Sequence, residues 1–193
     1  MHIYRSFFLL ILLSSAALAQ SNRYQVPIDE RADVDRLEAL GHDRAPLDQR
    51  LQKALLENAE KLNEPCYLIA PQCPAEEWWA PLDEGKTRLI AATEPNLKTE
   101  ALLALVAEFS KTHPVDASRF YVTGLSMGGF GTFDILGRAP EKVAAALPVC
   151  GGGDTKLVSR YKDVPLWAFH GDKDSTVPLS ATETMIEALK AAG

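Results

Sequence analysis

Short apolar runs alternate with amphipathic stretches along most of this chain. Cys66–Ala70 is an apolar run stopped by Pro71, and Ala144–Val149 is a second that ends in three glycines. Leu166–His170 is a third, and Arg119–Thr123 carries a fourth into a glycine-rich turn. Each has the length of a strand. The stretches between them repeat at helical spacing. Leu47, Leu51, Ala54, Leu55 and Leu62 share one stripe, which predicts a helix over Leu47–Leu62. Leu102, Leu105, Val106 and Phe109 do the same for a helix over Leu97–Lys111, opened by Pro95-Asn96. A helix follows the glycine turn to about Gly137, and another covers Thr182–Ala192. Upstream, Arg23–Asp29 reads as an edge strand and Ala32–Leu40 as a helix. Strands alternating with helices predict an α/β fold: a mostly parallel sheet with helices on both faces.

Residues 1–19 follow a different pattern. Arg5 precedes an unbroken apolar run, Phe7–Leu13, and Ala17-Leu18-Ala19 forms a small-x-small site before Gln20. This is the layout of an export signal, too short in its apolar part to span a bilayer. The expected arrangement is a signal peptide at 1–19 and a domain at 20–193, exported to the periplasm or outside the cell. Loss of Arg5 with the leader takes the formal charge from −6 to −7. An acidic chain argues against nucleic acid or an anionic membrane surface as partner. Three cysteines, Cys66, Cys73 and Cys150, fit no zinc spacing and leave at least one thiol unpaired. A Cys73–Cys150 bridge stays open at this level.

The candidate chemistry begins at Gly124-Leu125-Ser126-Met127-Gly128. A serine on a sharp strand-to-helix turn needs nearly atomless neighbours, and Gly124 and Gly128 provide them. Ser126 is therefore a candidate nucleophile, and the backbone N–H of Met127, at the helix start, a candidate oxyanion donor. Downstream, the Leu166–His170 strand runs into an acidic turn holding Asp172 and Asp174. An acid at the carboxyl end of a parallel strand can orient a histidine, and both aspartates are candidates; Asp154 is a third. Trp78 and Trp79 either wall an acyl or aryl pocket or pack their loop on the sheet.

Taken together, Ala70-Pro71-Gln72-Cys73-Pro74 with Trp78-Trp79, Gly124–Gly131, Leu147–Asp154 and His170-Gly171-Asp172-Lys173-Asp174 resemble the exported dienelactone-hydrolase and phospholipase/carboxylesterase-like group of α/β-hydrolases. The resemblance covers residues 66–193. It selects Asp174 as the acid and implies a serine esterase acting on a small-molecule ester, with no cofactor and no metal. It also implies two departures. The family's strand and His-Gly-rich oxyanion loop ahead of the Pro-Gln-Cys-Pro segment have no counterpart here, which predicts either a gap in the sheet beside the nucleophile strand or that strand forced against the one at Cys66–Ala70. The family's catalytic histidine follows a strand that would lie beyond Ala192. Of the four histidines, His2 lies in the leader and His113 at the wrong end of its strand, leaving His42 and His170 as substitutes. The expected domain is thus a partial α/β-hydrolase. The competing readings are a non-catalytic binding remnant or inactive fragment, and a peptidase or thioesterase built from the same parts.

Overall fold

The computed structural model describes residues 7–13, 47–61, 66–71, 73, 77–80 and 95–193. The elements in chain order are β1 (Phe7–Leu13), α1 (Leu47–Lys61), β2 (Cys66–Ile69), α2 (Leu97–Thr112), β3 (Val115–Leu125), α3 (Met127–Arg138), β4 (Ala145–Val149), α4 (Val158–Tyr161) and α5 (Ser180–Ala192). The strands form one parallel sheet in the order β2-β1-β3-β4. The predicted helices from Leu47 onward and the strands at Cys66–Ala70 and Ala144–Val149 recur within a residue or two, whereas the strand expected over Leu166–His170 is present only as two isolated bridges. The edge strand at 23–29, the helix at 32–40 and His42 lie outside the described residues. β3 is longer than its apolar core suggests. It starts at Val115, where the sequence around Asp116 and Ser118 reads as a turn. There Asp116 accepts hydrogen bonds from both the backbone and the hydroxyl of Ser118, a local turn that falls in the register shift between the pairs Phe7↔Val115 and Leu9↔Phe120.

The largest departure from expectation is β1. Phe7–Leu13, with the pattern of an export leader, is a strand between β2 and β3. It fills the gap that the missing family strand was expected to leave. Its pairing runs Phe8↔Cys66 to Ile11↔Ile69 on one side and ends at Leu13↔Gly124 on the other. A buried parallel strand and the apolar core of a leader both require an uninterrupted apolar run, so composition alone does not separate them. The two uses exclude each other in one molecule, because cleavage after Ala19 would remove β1.

Helix α3 occupies the centre of the molecule. Every residue from Met127 to Gly137 is buried, and Phe130, Phe133, Ile135 and Leu136 are at most 2% exposed. Burying each such side chain contributes roughly 1.5–3 kcal/mol. Tyr161 of α4 and Met185 of α5 close the same core, with Phe120 and Val122 from β3. One polar hub lies inside it. Asp134 of α3 is 1% exposed, and its Oδ2 accepts hydrogen bonds from Thr99 Oγ1 (2.7 Å), Arg138 Nε (2.7 Å) and Asn96 Nδ2 (3.0 Å). Asn96 also caps α2 through Lys98 N–H and donates to the Trp79 carbonyl. The hub therefore fixes α2, α3 and the tryptophan loop to one another. Removing one partner from a buried ion pair leaves an uncompensated charge. Arg138→Met is expected to destabilise the fold by about 3–5 kcal/mol, read as a lower midpoint in urea denaturation.

Beyond β4 the sheet continues only as bridges, Ala146↔Leu166 and Val149↔Phe169. The Leu166–His170 run pairs through Trp167 N–H to the Ala146 carbonyl and Phe169 N–H to the Pro148 carbonyl. Its outward side chains are apolar: Trp167 is 69% and Phe169 41% exposed, with ring centroids 4.8 Å apart. An exposed apolar edge favours self-association. Trp167→Lys is expected to lower the association seen by light scattering while moving stability by no more than about 0.5 kcal/mol.

Candidate active site

The site starts from the turn between β3 and α3. Ser126 adopts φ 55°, ψ −113°, the left-handed backbone that a nucleophile turn requires and that costs about 1–3 kcal/mol in a non-glycine residue. Two contacts hold it there: Ser126 N–H donates to the Val149 carbonyl at 2.9 Å, and its own carbonyl accepts from Phe130 N–H at 3.1 Å. The flanking glycines are sterically required. A Cβ on Gly124 would lie 2.4 Å from the backbone of Gly128, and one on Gly129 would lie 2.4 Å from the Val149 carbonyl oxygen. Ser126 is half-buried, and Met127 is the first residue of α3. The first N–H groups of a helix have no intrahelical partner, so the Met127 N–H is available to a developing negative charge.

The acid loop approaches the same end of the sheet. Asp174 Oδ1 accepts from Thr176 N–H at 2.8 Å and Val177 N–H at 2.9 Å. Those backbone donors, Val177 first, hold its carboxyl below the usual carboxylate range, so it is ionised at neutral pH. Asp172 has no such cap among the contacts of the loop. Val177 packs with Ala80, Phe130 and Ala181, which brings the tryptophan loop, the start of α3 and α5 against the acid turn.

Cys150 connects the two halves, directly after β4, a place at the end of a strand that the sequence also gives it. It is buried, with φ 41° at the end of β4, and its thiol is close enough to interact with both the Ser126 backbone and the Asp174 carboxylate. Ser126 and Cys150 are the two non-glycine residues with positive φ among the described residues. Such strain collects where the surrounding structure over-determines the backbone. All three cysteines are free. Burial raises the Cys66 and Cys73 thiols to about 11 and Cys150 above its ordinary value. None is a thiolate nucleophile at neutral pH.

The other candidates separate clearly. Trp79 is 4% exposed within the core, whereas Trp78 is 39% exposed. Asp154 accepts from Lys156 N–H and caps the turn at Thr155–Leu157. His113 stacks on Phe109 with centroids 3.8 Å apart, at the start of β3 and away from Ser126. His170 has a side chain only 2% exposed, with Nδ1 2.7 Å from Thr182 Oγ1 and Nε2 2.9 Å from the Val177 carbonyl. Both ring nitrogens are occupied, so it does not serve as the base for Ser126. A cleft of about 540 Å³ opens elsewhere, between Pro95, Leu103, Arg138 and Arg160, and neither Ser126 nor Asp174 lines it. Among the described residues no group of three or more histidine, cysteine or acidic side chains could hold a metal, and no helix is long and apolar enough to cross a membrane.

The fold has counterparts among known proteins. A thermostable esterase of known structure superposes with a TM-score of 0.75 at 28% identity, over all of this chain and 46% of its own. The feruloyl esterase module of Clostridium thermocellum shares the fold, with a TM-score of 0.57 at 12% identity over 97% of this chain and 63% of its own. In sequence, the bifunctional acetylxylan esterase/xylanase XynS20E of Neocallimastix patriciarum is 25% identical over 89 residues, 46% of this chain and 13% of that protein. The chain thus spans less than half the length of the esterase and a small part of the bifunctional enzyme. The dienelactone hydrolase family model matches residues 84–193, more than half of the chain and the whole stretch that carries Ser126, Cys150 and Asp174. With the parallel sheet and the strained serine turn, that match identifies the chain as a member of the dienelactone hydrolase family, with the fold of the α/β-hydrolase esterases.

Proposed function

We propose that this protein is a serine hydrolase of small carboxylic esters, with Ser126 as nucleophile and Asp174 as the acid of its triad. The observation that carries the reading is the left-handed backbone of Ser126 at the mouth of a buried, glycine-lined helix. A packing turn has no need of that strain, whereas a nucleophile turn does. In the proposed reaction the Ser126 hydroxyl attacks the ester carbonyl and loses its proton to a base. The tetrahedral oxyanion is stabilised by the Met127 N–H, and the alcohol leaves with a proton returned by the base. Water then repeats the sequence on the acyl-enzyme. Asp174, ionised and capped by two backbone N–H groups, orients and charge-compensates the protonated base. Trp78 is the proposed wall for the acyl group, being the tryptophan with an accessible face. Trp79 supports it from the core.

No histidine among the described residues is placed to serve as the base. His170 and His113 are both committed elsewhere, which leaves His42 within this sequence or a histidine supplied from beyond it. This point also favours the second reading, a binding remnant that keeps the nucleophile turn without fast turnover. Hydrolysis of a short-chain aryl ester by the purified chain tests the assignment. Ser126→Ala is expected to reduce the rate to that of buffer, and an unchanged rate in that variant would remove Ser126 from the mechanism.

Export is the competing use of the same segment, one that would remove β1, and it rests on Arg5, the apolar run and Ala17-Leu18-Ala19. Amino-terminal sequencing of the protein from its producing cells decides it: a start at Gln20 supports export, and a start at or near Met1 supports retention of β1.

A further inference from the structure

The contacts of His170 do more than exclude it as a base. The Thr182 hydroxyl has one hydrogen, and it is donated to the Gly151 carbonyl at 2.6 Å. Toward His170 Nδ1, 2.7 Å away, Thr182 Oγ1 can therefore only accept, so Nδ1 carries a hydrogen. The Val177 carbonyl, 2.9 Å from Nε2, can also only accept, so Nε2 carries one as well. A ring with hydrogens on both nitrogens is an imidazolium. Its counter-charge is at hand: Asp174 Oδ2 lies 3.7 Å from Nε2, the one carboxylate within 4 Å among the described residues. A neutral ring would satisfy only part of this set, and one buried polar group would lose its partner.

The chain of contacts runs between the two halves of the site. Gly151 interlocks with Gly129 of the nucleophile helix: a Cβ on Gly151 would lie 2.4 Å from the Gly129 carbonyl carbon. Thr182 is on α5, and Val177 and Asp174 are in the acid loop. We infer that His170 is held as an imidazolium which, through Thr182 and Gly151, braces the Asp174 loop against the Ser126 turn, making His170 and Thr182 positioning residues for the acid. The inference rests on the proposed roles of Ser126 and Asp174, yet its test needs no turnover. Failure of the brace is thus distinguishable from failure of the esterase reading, which Ser126→Ala decides.

The experiment is long-range proton–nitrogen NMR of the full chain with labelled histidine at neutral pH. His2→Ala and His42→Ala assign two rings, and contacts to Phe109 and Tyr67 identify His113. The expected His170 spectrum has hydrogens on both ring nitrogens. Asp174→Asn is expected to convert it to a singly protonated ring. Thr182→Val is nearly isosteric and should spare the fold. It is expected to leave the Nδ1 hydrogen without its acceptor and to speed amide exchange at Thr176 and Val177 by about tenfold or more. Thr182→Ser is expected to restore the wild-type pattern. A singly protonated His170 in the wild-type chain overturns the inference, as does a Thr182→Val spectrum and exchange profile identical to wild type.

Discussion

Deleting residues 1–19 is expected to abolish cooperative unfolding of this chain. β1 contributes four register pairs with β2 and six with β3, all inside a parallel sheet. Without it, the facing edges of β2 and β3 present backbone N–H and C=O groups with no partner. Each such group costs about 1–3 kcal/mol if buried, and a domain's entire stability is about 5–15 kcal/mol. A few orphaned pairs therefore exceed the available margin. The nucleophile turn would be affected first, because β1 ends beside Gly124, two residues before Ser126. The comparison is thermal melting of 1–193 against 20–193 by circular dichroism. A sharp transition for the full chain and a broad, featureless one for the shorter chain is the expected result. A cooperative transition at the same temperature for both would show that β1 is dispensable and that another segment pairs with β3.

The second large effect concerns rate. Because no histidine among the described residues serves the proposed Ser126–Asp174 pair, ester hydrolysis by 1–193 is expected to fall about 10⁴–10⁶-fold below that of a relative with all three triad members, the range found when one member is removed. Serine near neutral pH is almost wholly protonated, so attack waits for a base. Free imidazole supplies one. Added imidazole is expected to raise turnover by wild-type protein above the sum of its own background and the protein's, and to do so increasingly as pH favours the free base. Ser126→Ala in the same buffer should show only the background. Rapid turnover without imidazole, abolished by Ser126→Ala, would instead mean that a complete base is present. Loss of that turnover in His42→Ala would assign it to His42, since both His170 nitrogens are already bonded.

Much of this protein was legible in local sequence. Helices α1 and α2 announce themselves through apolar stripes, α3 through the glycine turn that opens it, and β2 and β4 through short apolar runs closed by Pro71 and by Gly151–Gly153. The left-handed Ser126 follows from Gly124 and Gly128, because steric exclusion at a tight turn acts over four residues of one chain. Asp174 was distinguishable from Asp172 only through family likeness. Its caps on Thr176 and Val177 are local, but nothing in the order of residues says which carboxylate the loop turns inward.

What only the tertiary structure decided depends on partners distant in sequence. Phe7–Leu13 carries the pattern of a leader, and its place in the sheet depends on edges supplied by residues 66–69 and 115–124. Cys150 reads as a residue after a strand; its position between Ser126 and Asp174 is set by β3, β4 and the loop carrying Asp174 meeting at one end of the sheet. The protonation of His170 is set by a hydroxyl twelve residues later whose hydrogen is donated to a carbonyl thirty-one residues earlier than that hydroxyl. Periodicity and turn chemistry report backbone conformation, which is local. Pairing, burial and hydrogen-bond accounting are properties of the closed structure, and the division between the two runs through this site.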